Sequence, residues 1–154
     1  MSLQSVRAFL EEHAPDIEIL IHDGSTATVA EAAAAYGVPP AAIAKTLSLT
    51  VGGKPLLLVT GGIARLDNRK AKDFFGGKVS MLGPEDVLAL TGHPVGGVCP
   101  FGLPTPLQVY CDISLKAYPE VVPAAGSTNS AIRIAPERLA KLANAEWVDV
   151  CKDL

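Results

Sequence analysis

Two stretches of the chain bring together residue types able to do chemistry. Residues 91–106 read TGHPVGGVCPFGLPTP, and eight of these sixteen residues are Gly or Pro. Glycine lets a backbone approach a ligand closely and present bare N–H groups. Such groups can hold a developing oxyanion, so Gly96, Gly97, Val98 and Cys99 are candidate main-chain donors, with Pro100 closing the segment. The plainer reading is a rigid connector, although long structureless loops are uncommon inside compact domains. GGVCP lacks the GK[ST] ending of a phosphate loop. The second stretch is IAKTLSLTV, residues 43–51. Period-two alternation puts Lys45 on one strand face with Leu47 and Leu49. An ammonium there either finds a partner in a pocket, beside Thr46, or snorkels out to water.

Weaker candidates surround these two. Cys99 as a nucleophile would need a nearby base, but His13, His22 and His93 stand in no cysteine-hydrolase arrangement, so a small loop residue is the better reading. Cys99, Cys111 and Cys151 form no CxxC pair or ligand cluster, and no metal or cofactor is expected. His22 and Asp23 follow a strand and line either a cleft or a surface turn. Asp112 also follows a strand, where it either caps the next turn or faces the site. Gly126, Ser127 and Thr128 lie in AAGSTN, a polar tip or an ordinary turn. Arg65, Arg69, Lys70 and Lys72 make a small basic cluster, read as a solvated face or an RNA-backbone contact.

The surrounding pattern predicts the elements that position these residues. Leu3, Val6, Phe9 and Leu10 share a helical face that Pro15 ends. Residues 17–22 read as a strand. Thr28 with Glu31 forms a capping box for a helix that Gly37 ends. Residues 43–51 and 54–60, joined by Gly52 and Gly53, give the strongest hairpin signal. Asp67 caps a helix through Phe75, residues 79–82 form a short strand, and Pro84 opens another helix. After the Gly/Pro loop come a strand over 107–111, a single turn over 113–117 and a second hairpin over 120–124 and 130–134. A helix from Pro136 and a strand over 146–150 end the chain. Hairpins interleaved with helices predict an α/β (mixed) fold: a mixed, curved sheet with helices packed outside.

Bulk properties limit the function classes. The chain has 154 residues, 49% hydrophobic and 19% charged, which suits one domain over 1–154. A net charge of −3 argues against broad binding to a nucleic-acid backbone, though not against holding one end of it. No signal-peptide pattern and no apolar run of about 20 residues appear, so a cytoplasmic protein without a membrane association is expected.

Taken in order, TVAEAAAAYGV, IAKTLSLTVGGKPLLLVTGG, GHPVGGVCPFG, YCDISL and AAGSTNSAIRI resemble the YbaK/ProX family of trans-editing aminoacyl-tRNA deacylases, related to the insertion domain of bacterial prolyl-tRNA synthetases. The resemblance covers nearly the whole chain. It implies a barrel-like sheet and hydrolysis of the ester joining a wrong amino acid to a tRNA 3′ end. It places the family's strand lysine on Lys45 and its GxxxP loop on residues 96–100. It also implies a substrate role for His22, Thr46, Pro100, Asp112, Gly126, Ser127 and Thr128. The implied partners are the aminoacyl-tRNA acceptor end and a synthetase, and a homodimer is compatible with it. Members that clear alanine carry a His in the hairpin near the pocket, whereas this chain reads Gly126, Ser127, Thr128, Asn129. Serine, threonine, cysteine or a small aliphatic residue are therefore open as the amino acid cleared. The alternative is a non-catalytic module of the same fold that binds an aminoacyl-tRNA end or a synthetase.

Overall fold

The computed structural model describes residues 2–152, with side chains from residue 3 onward. The elements run α1 (Ser2–His13), β1 (Leu20–Ile21), α2 (Val29–Tyr36), β2 (Ile43–Val51), β3 (Lys54–Gly61), α3 (Asn68–Phe75), β4 (Val79–Met81), α4 (Pro84–Thr91), β5 (Gln108–Asp112), β6 (Val122–Pro123), β7 (Ser130–Ala131), α5 (Pro136–Leu142) and β8 (Glu146–Val148). Short 3-10 turns occupy Pro40–Ala42 and Ile113–Ala117.

The β2–β3 hairpin is the centre of the fold. Gly52 and Gly53 take φ of 57° and 81°, as a two-residue turn with both central residues left-handed requires. The hairpin is extended on one side by β5 and then β8, both parallel, and on the other by β4. β6 adds to β2 in parallel at Ile43 and Ala44 only. A separate two-stranded sheet pairs β1 with β7. The mixed sheet matches the expectation, but it does not close into a barrel. β4 and β8 end the strand order without pairing to each other, and closure requires every strand to have two neighbours.

The second expected hairpin also differs. β6 joins β2 and β7 joins β1, leaving single bridges Val121↔Ile134 and Ala124↔Ala131 between the two arms. Pro123 has no N–H to give a longer ladder. The expected strand over 17–22 is reduced to Leu20–Ile21.

Alternation divides the hairpin side chains between two layers. Ala44, Leu57 and Val59 join the main core with Val6, Leu10, Phe101, Ile132 and Leu139. Leu49, Leu56 and Leu58 face the other way, onto Ala71 of α3 and Val148 and Val150. Full burial of each Leu or Val here stabilises by roughly 1.5–3 kcal/mol. α2 forms a third layer, packing Ala32, Ala33 and Tyr36 on Ile43, Val122 and Ala131. Its entry is fixed by the reciprocal Thr28–Glu31 capping box and its exit by Gly37 at φ 68°.

Candidate functional site

The Gly/Pro loop is held against two neighbours by close backbone contact. Gly96 sits at φ 90°, and a Cβ there would come within 2.7 Å of the Ala27 Cβ. A Cβ on Gly97 would lie 2.8–2.9 Å from the Ser127 main chain. Gly97 N–H donates to the Pro94 carbonyl at 2.9 Å, and its carbonyl accepts from Gly126 N–H at 3.1 Å. The main chain of Gly97 is thus engaged in fastening the loop to the 124–129 tip. The N–H groups of Gly96 and Val98 have no partner among the described residues.

Gly96 and Val98 line a cleft of about 160 Å³. Thr26, Ala27 and Thr28 lead into α2, whose Val29, Ala32 and Tyr36 form one wall. Residues 43–46 of β2 form the floor, and Val122, Ala124, Ser130 and Ala131 form the opposite wall. A cavity of roughly 150 Å³ holds a six-carbon ring, so this space suits a small acyl group rather than a whole nucleotide. Lys45 and the glycine loop therefore border one space, 51 residues apart in sequence at Gly96 (96 − 45 = 51).

Lys45 is half-buried, and its ammonium donates to the Ala64 carbonyl at 2.6 Å. Burial pushes its pKa below the ordinary lysine value, with the nearby Cys151 thiol opposing and Arg65 adding to the shift. The bond engages one of three ammonium donors. It holds the head group at the Ala64 carbonyl. Thr46, next along, projects to the loop side by alternation. Its Oγ1 is buried with no hydrogen-bond partner.

The main chain of Thr46 is also special. β6 covers the outer edge of β2 only at Ile43 and Ala44, and β4 covers it only from Leu49 to Val51. Leu82 N–H donates to the Ser48 carbonyl at 3.0 Å, which fixes the polar groups of even-numbered β2 residues on this outer edge. Between these covers, Thr46 alone points N–H and C=O outwards with no strand opposite.

Cys99 is fully buried in the core, and burial raises its thiol pKa to about 12. Its Sγ lies 3.7 Å from His93 Nε2, but that nitrogen is 2.7 Å from the Phe101 carbonyl. A carbonyl only accepts, so Nε2 carries the proton and cannot take one from Cys99. Burial lowers the His93 pKa as well, keeping the ring neutral. This pair is structural, and Cys99 does not border the cleft. Pro100 is displaced too, since it lines a depression with Phe9, Leu103 and Leu107.

The other expected residues are placed as follows. Asp112 is a cap: its carboxylate accepts from Ser114 N–H and Val150 N–H, both at 2.9 Å. It borders a second cavity of about 360 Å³ with Ser114, Cys151 and Lys152. His22 does not line the cleft, although its ring meets Tyr36 edge-on at 6.2 Å. Its Nδ1 is engaged locally with Gly24. Gly126, Ser127 and Thr128 buttress the site from behind: Thr128 O accepts from Thr26 N–H at 2.7 Å, and Ser127 Oγ donates to Asn129 Oδ1 at 2.9 Å. Lys70 pairs with Asp149 at 3.3 Å, and Arg69 is exposed on α3. Sequence reasoning missed Thr26, Tyr36 and Ser130 as cleft residues. The threonine before a capped helix was the available signal for the first, while Tyr36 and Ser130 gave none.

Among the described residues no carboxylate or imidazole lines the cleft. No group of three or more His, Cys, Asp or Glu able to hold a metal occurs among the described residues. No helix among them is long and apolar enough to cross a membrane. What the cleft offers is main-chain N–H groups, hydroxyls and one adjacent cation.

Residues 23–142 match the model of the aminoacyl-tRNA editing domain. The chain is 44% identical to YwhH of Bacillus subtilis (strain 168), named an uncharacterized protein, over 99% of both. It is 33% identical to EbsC of Enterococcus faecalis, named as a candidate Cys-tRNA(Pro)/Cys-tRNA(Cys) deacylase, over 82% of this chain and 76% of that one. A crystal structure described as a candidate trans-editing enzyme for prolyl tRNA synthetase superposes with a TM-score of 0.91. It is 35% identical, with 99% of this chain and 98% of that chain covered.

Proposed function

The chain belongs to the aminoacyl-tRNA editing domain family, and on that premise we propose that residues 1–154 act as one editing unit hydrolysing the ester of a mischarged tRNA in trans. The observation that carries this reading is a cleft floored by β2 and lined by Gly96 and Val98, whose N–H groups have no partner among the described residues. An aminoacyl ester is already activated. Its hydrolysis needs a placed water and stabilised negative charge more than a strong base. Water oxygen adds to the ester carbonyl carbon, and the loop N–H groups hold the resulting oxyanion. The carbon–oxygen bond to the ribose then breaks, and the leaving 3′-oxygen takes the proton that the water gave up. With no base among the described residues of the cleft wall, that proton passes through groups of the substrate, the 2′-hydroxyl of the terminal ribose being the nearest. Lys45, with two donors left, anchors the terminal adenosine or its phosphate. The Lys45 role follows from the resemblance and from its place beside the cleft.

The missing base also favours a second reading, a binding module without turnover. A panel of tRNAs mischarged with serine, threonine, cysteine, alanine and small aliphatic residues separates the two. Release of free amino acid from at least one member supports the deacylase. Binding without release from any member overturns it in favour of the module. The same panel identifies the amino acid cleared and the tRNA preferred.

A further inference from the structure

The uncovered edge of β2 is short: the N–H and C=O of Thr46 and the N–H of Ser48 have no partner among the described residues. β6 stops at Ala44, and the β4 side resumes with the Leu82 bond to Ser48. Thr46 is the single residue between them whose N–H and C=O point outwards, and neither group has a partner among the described residues. Edge groups of this kind are a template for another extended chain. Here the gap between β6 and β4 leaves one residue, Thr46, with both its N–H and its C=O unpartnered. The edge opens into the cleft, since Thr46, Val122 and Ala124 all line it. The buried, unpartnered Thr46 Oγ1 on the loop side is a second polar group awaiting a ligand.

We propose that the aminoacyl residue of the substrate docks as a one-residue strand on Thr46, its α-ammonium donating to the Thr46 carbonyl and its ester carbonyl accepting from the Thr46 N–H. This rests on the deacylase reading for the identity of the occupant. An amino acid in extended form carries one donor and one acceptor, spaced as in an antiparallel hydrogen-bonded pair. The arrangement needs no carboxylate for the α-ammonium, and none lines the cleft among the described residues. The Lys45 ammonium is held at the Ala64 carbonyl. Recognition through the main chain is indifferent to the side chain beyond its size. Selection by side chain is then left to the cleft walls, and selection for a free α-amine to Thr46.

The test uses the full chain, isotopically labelled, and two stable adenosine analogues. One bears an alanylamino group at the 3′ position and the other a propionylamino group, so they differ only in the α-amine. The alanyl analogue is expected to bind about tenfold or more tighter, the contribution of one charge-assisted hydrogen bond. It is also expected to shift the Thr46 amide resonance and slow its hydrogen exchange. Thr46→Val keeps the main chain and is expected to retain that amide response. Equal binding of the two analogues, no binding of the alanyl analogue, or an unmoved Thr46 amide overturns the proposal. A Thr46 response without turnover of any mischarged tRNA keeps the docking and removes the deacylase. Turnover with an unmoved Thr46 amide does the reverse.

Discussion

Replacing Gly96 by alanine tests the loop as the origin of activity. Two costs are separable. The first is conformational: φ of 90° is a region that L-residues rarely adopt, at roughly 1–3 kcal/mol. The second is steric. The new methyl would sit 2.7 Å from Ala27 Cβ, 3.2 Å from its Cα and 3.3 Å from its carbonyl oxygen. Neither main chain nor a one-carbon side chain can swing aside, so either the loop or residues 26–28 must move, at about 1–3 kcal/mol for overpacking. The sum is roughly 2–6 kcal/mol, and Tm falls by about 2–4 °C per kcal/mol for a chain this size. Gly37→Ala is the control. It shares a positive φ of 68° but has nothing within 4 Å of the added carbon, so it bears only the first cost. Gly97→Ala bears only the second, against the Ser127 main chain. Calorimetric melts give the stabilities, and release of amino acid from a mischarged tRNA under saturating enzyme gives the rate. In the folded fraction Gly96→Ala is expected to lose roughly 10²–10³ in rate, the effect of misplacing an oxyanion donor, while Gly37→Ala keeps the wild-type rate. A Gly96→Ala protein with wild-type melting and wild-type turnover would refute both the steric argument and the role of the loop.

Three further outcomes are expected. Lys45→Ala lowers deacylation in a folded protein; in the wild type, activity that depends on the ammonium declines at a lower pH than an exposed lysine would give, because burial lowers its pKa. The same shift means that the unfolded chain holds more protons between the folded pKa and 10.5, so stability from this group rises with pH through that window, as alkaline melts of wild type and Lys45→Ala will show. Cys99→Ser keeps most activity, and native Cys99 resists alkylation at pH 8 because its thiol titrates near 12. The neutral buried His93 makes stability fall as pH drops through 6.5 towards its lower folded pKa, a dependence that His93→Gln removes in urea titrations across pH 5–8.

Much of the local structure was legible because one residue type decides it. Thr28 with Glu31, Asp67, Gly37 and the Gly52–Gly53 turn each satisfy a backbone requirement that few other residues meet, and each stands where expected. The second hairpin was not legible: β6 and β7 are two residues long, too short for periodicity, and their partners lie far away in sequence. The site divides in the same way. Glycines at 96 and 97 announced a close backbone approach, but not which N–H groups stay unpaired, since that depends on which of them the Pro94 carbonyl takes. The Asp112 alternatives were equal on sequence; its carboxylate caps the next turn through Ser114 N–H, while its second bond, from Val150, 38 residues on, had no sequence signal. The emptiness of the β2 edge has no sequence signal. It follows from where two other strands stop.

The pairing of β1 with β7 bears on when the cleft can come into being. Leu20 meets Ala131 and Ile21 meets Ser130, so the first strand of the chain waits for a partner about 110 residues later (131 − 20 = 111). The β2–β3 hairpin closes over two residues and can form early, whereas the parallel additions of β5 and β8 and the β1–β7 pair need long loops to close first. On a ribosome, a nascent chain that has not yet released residues 122–131 has the cleft floor but neither the β6 nor the β7 wall. The order of synthesis therefore leaves this space open-sided until residues 122–131 have emerged.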